Sequence, residues 1–210
     1  MKYLIIAFLI IAALTLAACK SESKTTEKKG AINSDQMATM DSSAATSTEK
    51  VDAPVIKASF VNVSSDVAAH IKEVVSHYFH MKHALASDDA DEAKNAATMM
   101  LQVISQFDNS VLPADQKAAY NSHIRAIKEH AQAVIASADV DAERTHFAEL
   151  SAHTYELVKA FGAGKKVYYD HCPMAFNSKG ANWLNENAAI QNPYMGTKME
   201  TCGKVEQVIE

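Results

Sequence analysis

Between residues 64 and 161 the apolar residues of this 210-residue chain recur at intervals of three and four, and no stretch alternates with a period of two for long. This spacing places apolar side chains on one face of an α-helix, which completes a turn in 3.6 residues. Acidic and polar breaks at residues 88–89, 108–110 and 139–141 divide the pattern. The spacing therefore predicts four amphipathic helices.

Residues suited to helix ends stand at each break. Ser64 or Ser65 can cap the first helix, Asp89 begins the second, Pro113 opens the third, and Gly162 follows the fourth. Short connections between amphipathic helices imply antiparallel neighbours. The predicted fold class is all-α: an up-and-down four-helix bundle over residues 58–164. A short irregular or extended Cys-Pro-Met segment, residues 165–210, is predicted to pack on the bundle.

Eight of the nine histidines lie on the predicted helices, and six of them form pairs seven residues apart: His70 with His77, His123 with His130, and His146 with His153. Seven residues of helix rise about 10.5 Å, which is too far for two side chains to chelate one ion. A metal site would therefore need ligands from different helices. Solvated polar residues are the simpler interpretation, and the spacing does not decide between the two.

The N-terminus has the features of an export signal. Lys2 supplies a positive charge, residues 4–16 form an apolar run too short to span a bilayer, and Leu16-Ala17-Ala18-Cys19 resembles the lipobox of lipoproteins. Residues 1–18 are predicted to be a lipoprotein signal peptide, with lipid on Cys19 holding the protein to a membrane. The resemblance implies a location in the cell envelope facing the periplasm, with the outer membrane preferred because no Asp follows Cys19.

Residues 19–57 consist mainly of Ser, Thr, Ala, Lys, Glu and Asp, with almost no large apolar residue. Such a segment buries too little surface to order itself, so a disordered tether is predicted. The whole chain has a formal net charge of −5, which argues against nucleic acid as a partner.

The C-terminal segment carries two clusters of sulfur-containing residues. Thiolate and thioether ligands prefer Cu(I) and similar soft ions, whereas a zinc site would more often combine Cys and His without Met. The segment therefore predicts a site for Cu(I) or Ag(I). The candidate metal ligands, taken from both clusters, are Cys172, Met174, Met199 and Cys202, followed by His171 and Met195.

A disulfide between Cys172 and Cys202 is the alternative interpretation of the same residues. With Cys19 lipidated these are the only remaining thiols, in a compartment that permits oxidation. A bridge across thirty residues would stabilise the fold by about 3 kcal/mol. Met174, Met195 and Met199 would then serve only in packing.

The tail resembles an uncharacterised bacterial envelope domain through four stretches: YYDHCPMAF at 168–176, GANWL at 180–184, IQNPYMG at 190–196 and METCG at 199–203. That family occurs as small lipoproteins and as a C-terminal extension of copper/silver-type heavy-metal efflux adaptor proteins. The resemblance covers nearly everything after the tether and implies heavy-metal handling beside an efflux adaptor. Asn185 stands where a Ser is expected. Met195 replaces a residue that is often aromatic, so it ranks below the other sulfur ligands.

These features lead to two functional hypotheses. The first is a membrane-anchored lipoprotein that binds Cu(I) or Ag(I) for buffering or for delivery to an efflux system. The second is a helical structural or interaction module whose tail is held by a disulfide. An enzyme is not predicted, because His171 cannot easily turn onto its neighbour Cys172 and no Gly-rich phosphate loop or GxSxG motif is present.

Overall fold

The computed structural model describes residues 51–210. The predicted signal peptide, Cys19 and most of the predicted tether lie outside the described residues. The α-helices of this part of the chain are α1 Ser65–Ala86, α2 Ala90–Gln106, α3 Ala114–Ala136, α4 Val140–Phe161 and the short α5 Ala175–Ser178.

The four long helices begin where their capping residues predict. The side chains of Ser64, Asp89 and Asp139 each accept a hydrogen bond from a backbone N–H in the first turn of α1, α2 and α4. Such bonds satisfy donors that a helix start leaves unpaired. Gly162 ends α4 with a φ of 77°, a left-handed conformation that glycine adopts without strain. These helix boundaries are confirmed.

Each long helix packs against the next one in the chain. Their apolar stripes meet in one core, whose fully buried members include Val74, Tyr78, Met100, Ile127 and Phe147. Burying a side chain of this size stabilises a fold by about 1.5–3 kcal/mol, so the stripes account for the association of the four helices.

The all-α prediction is wrong, because the C-terminal region forms a four-stranded sheet. Its strands are β1 Val55–Ile56, β2 Val167–Cys172, β3 Ala181–Asn185 and β4 Lys204–Ile209, in the order β1-β4-β2-β3. β1 runs parallel to β4, and the other two pairs are antiparallel. The strands have at most six residues each, and β2 and β4 pair across more than thirty residues of chain. No local hydrophobic pattern of that length reveals such pairing. The fold is therefore mixed.

The sheet completes the core of the helices. Val167, Trp183, Leu184 and Ile209 are buried in the same core cluster as the helix stripes. The Leu184 N–H donates a hydrogen bond to the Tyr78 hydroxyl at 2.9 Å, which ties β3 to α1. β1 falls inside residues 19–57, so the final residues of the range predicted as a tether belong to the sheet. Within residues 51–210 no helix has the length and hydropathy needed to cross a membrane.

Candidate functional site

The two cysteines of the tail lie next to each other. Cys172 is the last residue of β2 and is fully buried, whereas Cys202 is partly exposed. The register of β2 and β4 pairs His171 with Lys204, which brings Gly203 against the end of β2. A Cβ atom at Gly203 would lie 3.1 Å from the His171 carbonyl oxygen, so the absence of a side chain there allows the close approach.

The thiols of Cys172 and Cys202 are free. Hydrogen bonding to Cys172 is the main cause that raises the pKa of the Cys202 thiol above its ordinary value, and burial adds to it. A hydrogen bond from the Met174 backbone N–H acts in the opposite direction. The Cys202 thiol therefore stays protonated at neutral pH, and a metal ion must displace that proton to bind the sulfur.

The other predicted ligands take different positions. Met174 and Met199 are 49% and 39% exposed. Met174 lines a cavity of about 430 Å³ together with the partly buried Met195. His171 faces Glu206 on β4, with 3.6 Å between Nδ1 and Oε1. The structure therefore brings together the two thiols and the Met174 backbone, and the Met199 carbonyl oxygen accepts a hydrogen bond from the Cys202 N–H at 3.0 Å. Among residues 51–210 no three His, Cys, Asp or Glu side chains are grouped to hold a metal ion.

Asn192 fixes the loop that positions Cys202. Its side chain is fully buried, and Oδ1 accepts hydrogen bonds from the N–H groups of Tyr194 and Met195 at 2.8 and 3.1 Å. Its Nδ2 donates to the Cys202 carbonyl oxygen at 2.6 Å, and its own N–H donates to the Glu200 carbonyl oxygen at 2.7 Å. One asparagine therefore connects both ends of the loop, which explains the Asn-Pro-Tyr sequence.

Arg144 on α4 holds the same loop to the helices. This almost fully buried side chain donates from Nε to the Pro193 carbonyl oxygen at 2.8 Å and from Nη2 to the Leu85 carbonyl oxygen at 2.7 Å. The same Nη2 also forms an ion pair with Asp88 Oδ1 at 2.5 Å. Arg144 therefore joins α4, the α1–α2 turn and the loop after Asn192.

Asp88 supplies the other half of this connection. Its Oδ2 accepts hydrogen bonds from the Thr197 hydroxyl at 2.6 Å and from the Thr197 N–H at 3.0 Å. The hydrogen bond from Arg144, followed by the one from Thr197, lowers the pKa of Asp88 to about 2. A Cβ atom at Gly196 would lie only 2.1 Å from Asp88 Oδ1, so no side chain fits there. This contact accounts for the glycine in the Asn-Pro-Tyr-Met-Gly stretch.

A buried polar network lies between α1 and the sheet. Lys82 is fully buried, and its Nζ donates to Asn185 Oδ1 at 2.9 Å and to Glu186 Oε2 at 3.0 Å. Asn185 Nδ2 donates to Asp170 Oδ2 at 3.0 Å, and His83 contacts the other oxygen of Glu186. Asn185 thus lies between a buried cation and a buried carboxyl group. The Asn185 amide accepts from Lys82 and donates to Asp170, and the shorter side chain of a serine would not span both partners.

The stability of the protein is expected to respond to the charge on Asp170. Burial raises the pKa of Asp170 from 3.8 to about 7, against the weaker effects of Asn185 and Lys82. Below about pH 4 the carboxyl is protonated in both folded and unfolded chains and contributes nothing. Between about pH 4 and 7 the unfolded chain loses this proton while the fold keeps it, so Asp170 progressively destabilises the folded state as pH rises.

Asp170→Asn removes this titration. The free energy of unfolding of the variant minus that of the wild type is expected to increase from pH 4 to pH 7 and then to level off. Urea unfolding at four pH values measures the difference, with Asp115→Asn on the exposed surface of α3 as the control. A difference that stays constant over this range would contradict the prediction.

Sequence reasoning did not single out Asn192, Arg144 or Lys82. Lys82 does carry a signal, because it follows Tyr78 by four residues and precedes Leu85 by three, on the apolar face of α1. A lysine on such a face needs a buried partner. For Arg144 the partners are backbone carbonyl groups of distant segments, which leave no sequence pattern. Asn192 accepts from the N–H groups two and three residues later, and this local turn is consistent with the Asn-Pro-Tyr sequence.

The arrangement defines a helical domain with a mixed sheet and a paired thiol at one end of β2. Residues 74–166 match the model of a family described as a protein of unknown function (DUF3347). The match extends from within α1 to just before β2, so the strands and both cysteines lie outside it. No curated protein and no solved structure matches the chain.

Proposed function

We propose that the protein is a membrane-anchored envelope lipoprotein that binds Cu(I) or Ag(I) through Cys172 and Cys202. It would buffer the ion or deliver it to a heavy-metal efflux system. The observation that supports the proposal is the pair of adjacent free thiols, one buried and one partly exposed. The efflux partner rests on the family resemblance of the tail. Lipid attachment rests on the sequence around Cys19, outside the described residues.

The chemistry of the pair suits a soft monovalent ion. Thiolate sulfur selects Cu(I), which accepts as few as two ligands. The ion would reach the site through Cys202, because Cys172 is fully buried. The Met174 backbone already contacts the Cys202 thiol, and its exposed side chain would offer a thioether as a third ligand.

Binding would release the thiol protons. A metal takes the thiolate, so every proton held by the free thiol competes with the ion. The raised pKa of Cys202 therefore predicts that affinity falls as pH is lowered from the alkaline range. The ion would be held more tightly at neutral than at acidic pH.

Anaerobic titration of the reduced protein with Cu(I), in competition with a chromophoric chelator, is expected to show one ion per chain. Cys172→Ser or Cys202→Ser leaves a single thiolate and should weaken binding at least about tenfold. Met174→Leu removes the thioether offered as a third ligand. Its control is Met99→Leu, which changes a methionine that is 37% exposed on α2, outside the tail. Stoichiometric tight binding that persists in the Cys172→Ser, Cys202→Ser double variant would refute the proposal.

A second candidate function is a helical interaction module whose tail is held by a disulfide. The contact between Cys172 and Cys202 also supports this function, because two neighbouring thiols in an oxidising compartment can form a disulfide. Alkylation of the unreduced protein in denaturant, which exposes the buried Cys172, followed by intact mass, separates the two functions. Two alkyl groups on Cys172 and Cys202 would show free thiols ready for metal. No alkylation at either residue, combined with the absence of Cu(I) binding after reduction, would favour the stapled module.

A further inference from the structure

Four histidines face each other in pairs along the contact between α3 and α4. His123 of α3 lies beside His153 of α4, with 5.6 Å between ring centroids. Seven residues further along α3, His130 lies beside His146, which stands seven residues earlier in α4, with 5.8 Å between ring centroids. Because α3 and α4 run antiparallel and both carry histidines seven residues apart, each histidine of α3 lies beside one histidine of α4.

The first pair has the geometry of two ligands on one ion. His123 Nδ1 and His153 Nδ1 are 3.3 Å apart. Zinc binds histidine nitrogen at about 2.0–2.1 Å, so two nitrogens on a tetrahedral zinc ion stand about 3.3–3.4 Å from each other. The two imidazoles therefore meet the spacing requirement without any movement of the helices.

The surroundings leave these rings available. All four histidines are partly buried, so an ion reaches them from solvent. Burial, and then His153, lowers the pKa of His123. Nearby Glu156 and Lys159 act on His123 in opposite directions. Three other helix histidines are engaged elsewhere: His70 with Tyr120, His80 with Glu92 and His83 with Glu186.

We propose that the α3–α4 contact holds two sites for divalent transition-metal ions of the zinc type, one at His123 and His153 and one at His130 and His146. Seven residues of helix separate them by about 10.5 Å, so each site takes its own ion. With two protein ligands each, the remaining positions are filled by water, which makes the ions exchangeable. The sites use no residue of the thiol pair and do not depend on the proposed Cu(I) function.

Calorimetric titration of the purified protein with Zn²⁺ tests the proposal. His123→Gln and His146→Gln are each expected to remove one Zn²⁺ equivalent, and the double variant to remove two. His77→Gln, on α1 and outside both pairs, is the matched control and should remove none. A Zn²⁺ ion bound by Cys172 and Cys202 would still bind to these histidine variants. The titration therefore tests the histidine sites independently of the proposed thiol site.

A second measurement does not depend on the variants folding. Zn²⁺ added to the ¹⁵N-labelled wild-type protein should shift the imidazole nitrogen resonances of His123, His130, His146 and His153, and leave that of His70 in place. Unchanged resonances of either pair, or a Zn²⁺ stoichiometry unaffected by either substitution, would overturn the proposal. In that case the 3.3 Å contact is a hydrogen bond between the two rings.

Discussion

Arg144→Met is expected to lower the free energy of unfolding by about 3–5 kcal/mol. Methionine keeps the apolar stem of a side chain whose exposure is only 6% and removes the guanidinium group. The carbonyl oxygens of Leu85 and Pro193 then lose a charged donor in a buried position. Each unsatisfied buried group costs about 1–3 kcal/mol. The Asp88 ion pair adds little, because that carboxylate is 37% exposed.

Denaturant unfolding followed by circular dichroism measures the loss. The matched control is Arg125→Met, which makes the same substitution on the exposed face of α3 and should change stability by less than about 0.5 kcal/mol. Equal effects of the two substitutions would contradict the role assigned to Arg144. Asp88→Asn should cost much less than Arg144→Met, since its amide oxygen still accepts from Thr197.

Asn192→Ala is expected to destabilise the fold by about 2–4 kcal/mol and to weaken Cu(I) binding at least tenfold with both thiols present. Alanine removes the acceptor of the Tyr194 and Met195 N–H groups and the donor to the Cys202 carbonyl oxygen. The loss of that last bond removes the side-chain restraint that Asn192 places on the Cys202 backbone, so Cys202 is held less firmly beside Cys172. The expected loss of Cu(I) affinity depends on the proposed thiol site. The expected loss of stability depends only on the hydrogen bonds that alanine removes.

Asn192→Asp separates the donor bond from the acceptor bonds. A carboxylate still accepts from Tyr194 and Met195, but in its ionised form it has no hydrogen to donate to the Cys202 carbonyl oxygen. It should therefore weaken Cu(I) binding, and burying this charge against a carbonyl oxygen also destabilises the fold. Asn187→Ala, at an exposed position of the preceding loop, is the control. Wild-type affinity in both Asn192 variants would show that the loop does not position the thiols.

The helices could be predicted because their signals are local. Asp89 and Asp139 cap the helices that begin one residue later, and Gly162 ends α4, all within one turn of the residues concerned. Apolar residues three and four apart then define the buried face. Such evidence depends only on neighbours in the chain, and it is independent of how the helices are arranged.

The sheet could not be predicted for the opposite reason. Val55 pairs with Val208, and Tyr169 pairs with both Leu184 and Gln207, so the hydrogen bonds of each strand depend on residues far along the chain. The sequence of β2 predicts only a short extended piece, because it does not indicate which strands pair with it. A disordered tether was predicted over Val55 because the stretch around it has few large apolar residues, whereas two residues suffice to join an existing strand.

For the candidate site, the pairing of Cys172 with Cys202 was predictable, since the metal site and the disulfide both require it, and the contacts of the other residues were not. Sulfur ligands in the tail identified Cys172 and Cys202, which the structure brings together. His171 stands next to Cys172 in sequence but faces Glu206, because side-chain direction alternates along a strand. The interhelical histidine pairs required the helix register, which only the folded chain supplies.

The position of β4 sets the order in which this protein assembles. β4 follows every other described strand and helix, yet it lies in the interior of the sheet, between β1 and β2. During synthesis α1 to α4 are complete while β1 still lacks its partner, so the helices form a scaffold on which the sheet closes late. Contacts of such long sequence separation form slowly. A chain interrupted before residue 204 would keep its helical sequence and lose the strand on which the sheet and the Cys172 edge depend.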